Sequence, residues 1–328
     1  MAHRNITSLL GLDLPIFQAP IGNIAGSELA IAVSSGGALG ALALTWATPE
    51  VARQKIFQIR AATQNPFQVN FVLAFPPHAL AAALEAGAPI ITFSWGDPTP
   101  YLPQVRASGA RVGMQVTNIA GAQLAMSLGV DFMICQGVEA GGHVQSTTEL
   151  WELLPRVVEV AKEIPVVAAG GIGNGMAIAK AFSLGASGVM LGTRFAATQE
   201  SEAHPLYKQA LVEGSAQETA LTVCFEGGWP YAAHRVLRNP TLEAWEAVGS
   251  PPVGQRPNEG EIIVRTDQGK SIARYDDTTP RAGMTGKILE MCLYAGTSCE
   301  AIQDIPPVKE VIERLWLEYQ SIASSSVS

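Results

Sequence analysis

Along residues 15 to about 213, short apolar runs rich in Val, Ile, Leu and Ala alternate with longer stretches that carry apolar residues at helical spacing. Near-continuous apolar runs mark strands buried on both faces, and the longer stretches mark amphipathic helices. Strands are predicted at Ile16 to Ile21, Leu39 to Leu44, Gln68 to Leu73, Ile90 to Ser94, Arg111 to Val116, Phe132 to Gln136, Pro165 to Ala169 and Gly188 to Leu191. Their starts lie about 20 to 35 residues apart, the size of one strand and helix unit. Helices are predicted at Ser27 to Ser35, Pro49 to Thr63, His78 to Ala86, Tyr101 to Ser108, Ala120 to Leu128, Glu149 to Glu163, Met176 to Leu184 and Pro205 to Glu213. Gly87, Gly109, Gly129, Gly185 and Gly214 stand where left-handed C-caps would end five of them. Eight rounds predict an α/β fold, a (β/α)8 TIM barrel rather than an open doubly wound sheet.

After Gly214 the alternation stops. A segment with F-E-G-G-W-P-Y, a Pro/Gly-rich stretch and a final amphipathic helix near Val308 to Ile322 follow. The expected organisation is a barrel over residues 1–214 and, over 215–328, a mainly helical C-terminal extension covering the barrel mouth.

In such a barrel the loops after the strand C-termini build the active face. Three motifs fall there: V-E-A-G-G-H (Val138 to His143), V-V-A-A-G-G-I-G-N-G (Val166 to Gly175) and V-M-L-G-T-R-F (Val189 to Phe195). Gly141 and Gly142 let a flat ring approach the main chain. His143 follows them, and an unperturbed imidazole suits proton transfer or anion stabilisation near neutral pH. It is the leading catalytic candidate; the plainer alternative is a histidine that satisfies loop backbone. A Rossmann site would need an acidic residue about 20 positions past the glycines, where the chain reads M-L-G-T-R-F. Backbone amides at Gly170, Gly171, Gly173, Gly192 and Thr193 can instead hold one phosphate at helix N-termini, unless these glycines only make tight turns. The other histidines, His3, His78, His204 and His234, are weaker candidates, and of these only His234, near Trp229 and Tyr231, is in a position to reach the site. Asn70 and Gln115 interrupt apolar inner strands. Buried amides need partners, either an internal water network or a cofactor with many polar edges. The Q-A-P-I-G turn ending the first strand offers backbone groups toward the same mouth.

Composition narrows the partners. The 328 residues are 48% hydrophobic and 15% charged, the profile of a compact enzyme. A net charge of −8 argues against nucleic acid or an anionic membrane surface as partner. Neither a signal-peptide-like start nor an apolar run of about 20 residues is present, so a cytosolic location is expected. The four cysteines, at 135, 224, 292 and 299, lack metal or redox spacing and read as buried free thiols, and no metal site is expected.

Taken together, I-F-Q-A-P-I-G, V-N-F, E-A-G-G-H, A-A-G-G-I-G-N-G, M-L-G-T-R-F-A-A-T-Q-E-S and G-G-W-P-Y-A-A-H-R-V-L-R-N resemble the nitronate monooxygenases, formerly 2-nitropropane dioxygenases, and related flavin-dependent quinone and enoyl-thioester reductases. The resemblance spans most of the chain. It implies non-covalent FMN at the strand C-termini, with Gly170, Gly171, Gly173, Gly192 and Thr193 on the phosphate. Pro20, Ile21, Gly22, Asn70, Gln115, Gly141 and Gly142 would contact the ring and ribityl chain, and His143 would face the substrate. The implied reaction takes a nitronate, or a nitroalkane, and O2 to a carbonyl compound and nitrite. Some relatives place a lysine where this chain has Gln115, and a neutral amide stabilises an anionic reduced flavin less than a cation does. An NAD(P)H:quinone or enoyl-thioester reductase is the nearest alternative. A flavin-free sugar-phosphate isomerase or aldolase is a more distant one, a non-catalytic binding protein a further one, and the oligomeric state, including a homodimer, is left open.

Overall fold

The computed structural model describes residues 5–325; His3 lies outside them. Eight parallel strands form one sheet: β1 (Ile16–Gln18), β2 (Gly40–Ala43), β3 (Phe67–Val72), β4 (Ile90–Ser94), β5 (Arg111–Val116), β6 (Phe132–Gln136), β8 (Val166–Ala169) and β9 (Gly188–Leu191). A two-residue strand, β7 (Gly142–His143), follows β6 outside this sheet. The order β1-β9-β8-β6-β5-β4-β3-β2 becomes a barrel where Phe17 bridges Leu39. At this seam the Gln18 side chain behaves like another piece of backbone: its Nε2 donates to Ala41 O and its Oε1 accepts from Ala41 N, both at 3.1 Å. A buried amide thus finds two partners and ties the barrel shut.

Along each strand successive side chains alternate between inside and outside. Outward residues such as Val69, Phe71, Phe93, Val112 and Met133 pack under the helices. Inward residues change character along the barrel axis. At the N-terminal end Phe17, Leu39, Ile90, Phe132, Ile134, Val167 and Met190 meet Ile6 and Leu10 of the first helix, Ile6–Leu10. Gly113 leaves the room that the Phe132 ring fills, since a β-carbon there would lie 2.6 Å from Phe132 Cε2. Nearer the C-terminal end the same inward register presents Asn70, Thr92, Ser94, Gln115 and Gln136.

Helices Ser27–Ser35, Pro49–Ala62, Leu80–Glu85, Leu102–Ala107, Ile119–Leu128, Leu150–Ala161 and Gly175–Ser183 follow their strands as predicted. The eighth place differs. Pro205–Glu213 is helical, but Tyr207 and Leu211 pack with Leu293, Ala295 and Ile302 of the extension. The final helix, Val308–Ser325, takes the ring position between the helices Ser27–Ser35 and Gly175–Ser183 and contributes Val308, Val311, Ile312 and Leu315 to the main core. Ring and extension therefore interleave across residue 214. Gly87, Gly109, Gly129 and Gly185 have φ between +63 and +92°, as expected. Gly214 does not: at φ −76° it is extended, and its lack of a side chain admits Leu237, whose Cδ2 would lie 2.8 Å from a β-carbon.

The extension contains more helix than strand, yet its middle part is organised by two small antiparallel sheets that the sequence reading did not anticipate. One joins β10 (Thr219–Thr222), β11 (His234–Leu237) and β7 in the order β10-β11-β7. The other joins β12 (Ile262–Arg265), β13 (Ser271–Ala273) and β14 (Thr285–Gly286), order β13-β12-β14. These strands are two to four residues long, too short to show a clear alternation. Among the described residues no helix is long and apolar enough to cross a membrane, and the four cysteines are free and buried.

Candidate active site

The loop after β6 builds the site because it is recruited into the covering sheet. His143 pairs with His234 and Gly142 with Arg235, and Val144 N donates to Ala233 O at 2.9 Å. Two glycines make this path possible. A β-carbon at Gly141 would collide with Gly296 N and Ala295 C, and Gly142 turns the chain at φ +77°, a conformation that disfavours other residues. Val138 and Glu139 serve the scaffold. Val138 O accepts from Arg235 Nε and Nη2 at 3.0 and 2.9 Å. Both Glu139 carboxylate oxygens accept from Leu150 N at 3.0 Å, capping the helix Leu150–Ala161 at its positive end.

His143 is enclosed by rings. Trp229 lies 4.4 Å away, centroid to centroid, at an interplanar angle of 32°. His234 and Tyr294 stand at 5.4 and 5.5 Å and Trp95 at 6.2 Å. Its Nε2 is buried without a hydrogen-bond partner. Burial, and secondarily the neighbouring His234, push its pKa down from 6.5 to about 3, so the ring is neutral at physiological pH. His234 has a different position. Its Nε2 accepts from Phe225 N at 3.2 Å and its Nδ1 faces Ala232 O at 2.8 Å, so both ring nitrogens are spent on holding the 225–234 turn. Expected from the sequence to be in reach of the site, it backs His143 without a free atom to offer.

The inward amides form a chain toward the same point. Gln115 Nε2 donates to Gln136 Oε1 at 3.2 Å, and Gln136 Nε2 reaches His143 O at 3.5 Å. Asn70 is tied to β4 instead: its Nδ2 donates to Thr92 O and Oγ1, both at 3.2 Å. Gln136 was missed in the sequence, although its inward parity with Phe132 and Ile134 was available as a signal.

The predicted phosphate residues come together in part. Gly171 and Gly173 line a cavity of about 220 Å³ with Asn174, Thr297, Ser298 and, at the rim, exposed Glu300. Gly170 and Gly171 hold φ of +110 and +67°, and a β-carbon on Gly171 would press on Glu139 and on Thr297 Oγ1 at 3.2 Å. Thr193 is linked to the same wall, its Oγ1 accepting from Gly296 N at 3.0 Å. Gly192 has Ala19 and Ile21 on its β-carbon side, in the turn that continues through Pro20 to Gly22. The helix behind the cavity, Gly175–Ser183, has two of its first-turn amides engaged: Gly175 N by Glu318 and Ala177 N by Asn174. Beside this helix end the glycine loop and the side chains of Thr297 and Ser298 line the cavity. Thr297 and Ser298 were also missed. The signal was the small-residue run A-G-T-S after the apolar M-C-L-Y.

Known proteins resemble this chain in sequence and in fold. The family model described as nitronate monooxygenase matches residues 3–83 and 75–318. A nitronate monooxygenase of Pseudomonas aeruginosa is 32% identical over 299 residues, 76% of this chain and 84% of its own. One from Paraburkholderia phytofirmans is 29% identical over 82% of this chain and 84% of its own. Among solved structures, FabK from Thermotoga maritima superposes with a TM-score of 0.83 at 29% identity, covering 99% of this chain and 98% of that one. A nitroalkane oxidase from Streptomyces ansochromogenes superposes with a TM-score of 0.78 at 27% identity, covering 99% of this chain and 100% of the other.

Proposed function

Because the chain belongs to the nitronate monooxygenase family, we propose that it binds FMN at the C-terminal end of the barrel and oxidises alkyl nitronates with O2 to carbonyl compounds and nitrite. The observation that carries this reading is the desolvated, neutral imidazole of His143 with an unpartnered Nε2. Such a ring is a poor general base at neutral pH, because a base works best when its pKa lies near the operating pH. It is well suited to an anion that arrives already deprotonated: in the tautomer protonated at Nε2, the N–H has no internal acceptor to give up, and donation to a nitronate oxygen supplies the missing bond. A neutral nitroalkane would need a proton removed first. Nitronates are thus favoured over nitroalkanes.

The residues present suit a flavin phosphate. The positive-φ glycine loop, the 220 Å³ cavity it shares with Thr297 and Ser298, and the Thr193–Gly296 link offer amides and hydroxyls on converging elements. Gln115 and Gln136 offer amide groups at the inward rim. The chemistry this group supplies when bound is electron acceptance from the substrate and reaction with O2. Likeness to FabK keeps a reductase of thioesters or quinones as the second reading.

The test is the visible spectrum of the purified protein followed by anaerobic titration. A flavin spectrum bleached by propane-2-nitronate and not by NADH is expected. Bleaching by NADH with no response to nitronates would establish the reductase reading instead. His143→Ala should lower kcat/KM for nitronate by about 10²- to 10³-fold, the usual worth of one positioned donor, with FMN retained.

A further inference from the structure

We propose that Trp229 fills, in this structure, the place over the His143 ring that a substrate takes, and that the aromatic walls exposed when it swings out select nitronates bearing a flat, apolar substituent. This rests on the function proposed above and names the substrate class of the same site.

The first argument is the state of His143. A buried ring nitrogen with no partner costs stability, and such exceptions in a native fold call for a reason. The Trp229 indole lies against the His143 ring, tilted by 32° with its centroid 4.4 Å away. With that indole and the other rings in place Nε2 is buried. A permanent wall there would leave the imidazole no chemical role, whereas a removable one exchanges an aromatic contact for a substrate contact.

The second argument is how Trp229 is mounted. It sits on a short turn held firmly at both ends. Glu226 pairs with the buried Arg256 and accepts from Tyr231 N at 3.0 Å. His234 fastens Phe225 and Ala232. Between these clamps the chain reads Gly227-Gly228-Trp229-Pro230, and the two glycines rest on the 275–277 segment: Gly227 N donates to Tyr275 O at 3.1 Å, and a β-carbon on Gly228 would run into the Asp277 carboxylate. The anchors fix the turn while its crest, partly exposed, carries one large ring on two residues without side chains.

The third argument is what lies beside it. Trp95 stands 4.4 Å from Trp229 and Phe75 5.2 Å, and Trp46, 63% exposed, continues the row 5.3 Å beyond Phe75. Trp95 holds φ +58°, a left-handed conformation that a bulky aromatic residue adopts only when its surroundings impose it. The row leads from His143 to solvent. With Trp229 out, a flat apolar group bonded to the nitronate carbon would lie against Trp95 and Phe75 with its charged end at His143.

Carbethoxylation of His143 by diethyl pyrocarbonate, followed by mass spectrometry, reads the cover directly, because the reagent attacks neutral imidazole. In the wild-type protein His143 should react slowly relative to exposed His78, which serves as internal standard. Trp229→Ala should raise the His143 rate by about two- to tenfold, the scale of an aromatic pair contact, and Trp229→Phe should restore most of the protection. Should Trp229→Ala misfold, Trp229→Leu gives the same comparison. In turnover, the wild-type ratio of kcat/KM for the phenylnitromethane anion over propane-2-nitronate should exceed one, and Trp95→Ala should lower it. Equal His143 reactivity in wild type and the Trp229 variants overturns the cover. An unaltered substrate ratio in Trp95→Ala overturns the selecting wall. Protection without any turnover of nitronates upholds the cover and refutes the proposed reaction, so the two failures are distinct.

Discussion

The two ends of the barrel are made from the same strands with the same alternation, yet they are chemically opposite. At the N-terminal end the inward side chains are Phe17, Leu39, Ile90 and Phe132, sealed by the helix Ile6–Leu10. Two residues further along the same strands, the inward positions carry Thr92 on β4 and Ile134, then Gln136, on β6. One end stores stability through apolar burial and close packing. The other accepts the cost of buried amides and an unsatisfied imidazole, which is what a binding site for a polar ligand requires. Separation along one axis lets a barrel keep the two demands from interfering.

The comparison is broken most directly at the closed end. Phe132→Ala removes a ring that fills the space over Gly113 and should cost about 3–5 kcal/mol, as large-to-small core changes do. Denaturant unfolding measures this, and the His143 carbethoxylation rate should stay as it was; a coupled change would show that the two ends are not independent. A somewhat smaller loss is expected at the cover. Arg256 and Glu226 are paired with side chains only 4% and 11% exposed, so Arg256→Met strands a buried carboxylate at a cost of about 3 kcal/mol. Limited proteolysis should find the 225–231 turn cleaved before the barrel. An intact turn would mean that His234 alone secures it.

The effect smallest per unit of change, here per pH unit, sharpens the electrostatics of the open end. The folded protein keeps His143 neutral down to about pH 3, while the unfolded chain takes up a proton near 6.5. Between these values the unfolded state binds more protons, so stability falls as pH drops, by at most about 1.4 kcal/mol per pH unit from this group. His143→Gln should flatten that part of the stability profile relative to wild type. Parallel profiles would mean that the ring titrates alike in the folded and unfolded chain, removing the argument for a desolvated imidazole.

Periodicity was legible because it is local. The strand ends at Ser94, Val116, Gln136 and Leu191, and the helix ends at Ser27, Ser35 and Glu213, follow from apolar spacing, Gly and Pro, whatever the rest of the chain does. His143 and the glycines at 141, 142, 170 and 171 could likewise be singled out, because a glycine that admits a close approach or a positive φ is a property of its own backbone. The sequence ranked His143 above His234 but left both within reach of the site. Only the fold separates them, giving one two backbone partners and leaving the other with a free nitrogen.

What the chain alone determined, then, is the barrel, its mouth, and the residues able to do chemistry there, since these depend on neighbours a few positions apart. The tertiary structure decided which helix completes the ring, that Thr297 and Ser298 join glycines more than a hundred residues earlier, and that Trp229 rests on His143. Those outcomes depend on competition between distant segments for the same surface, and no local pattern records which segment wins.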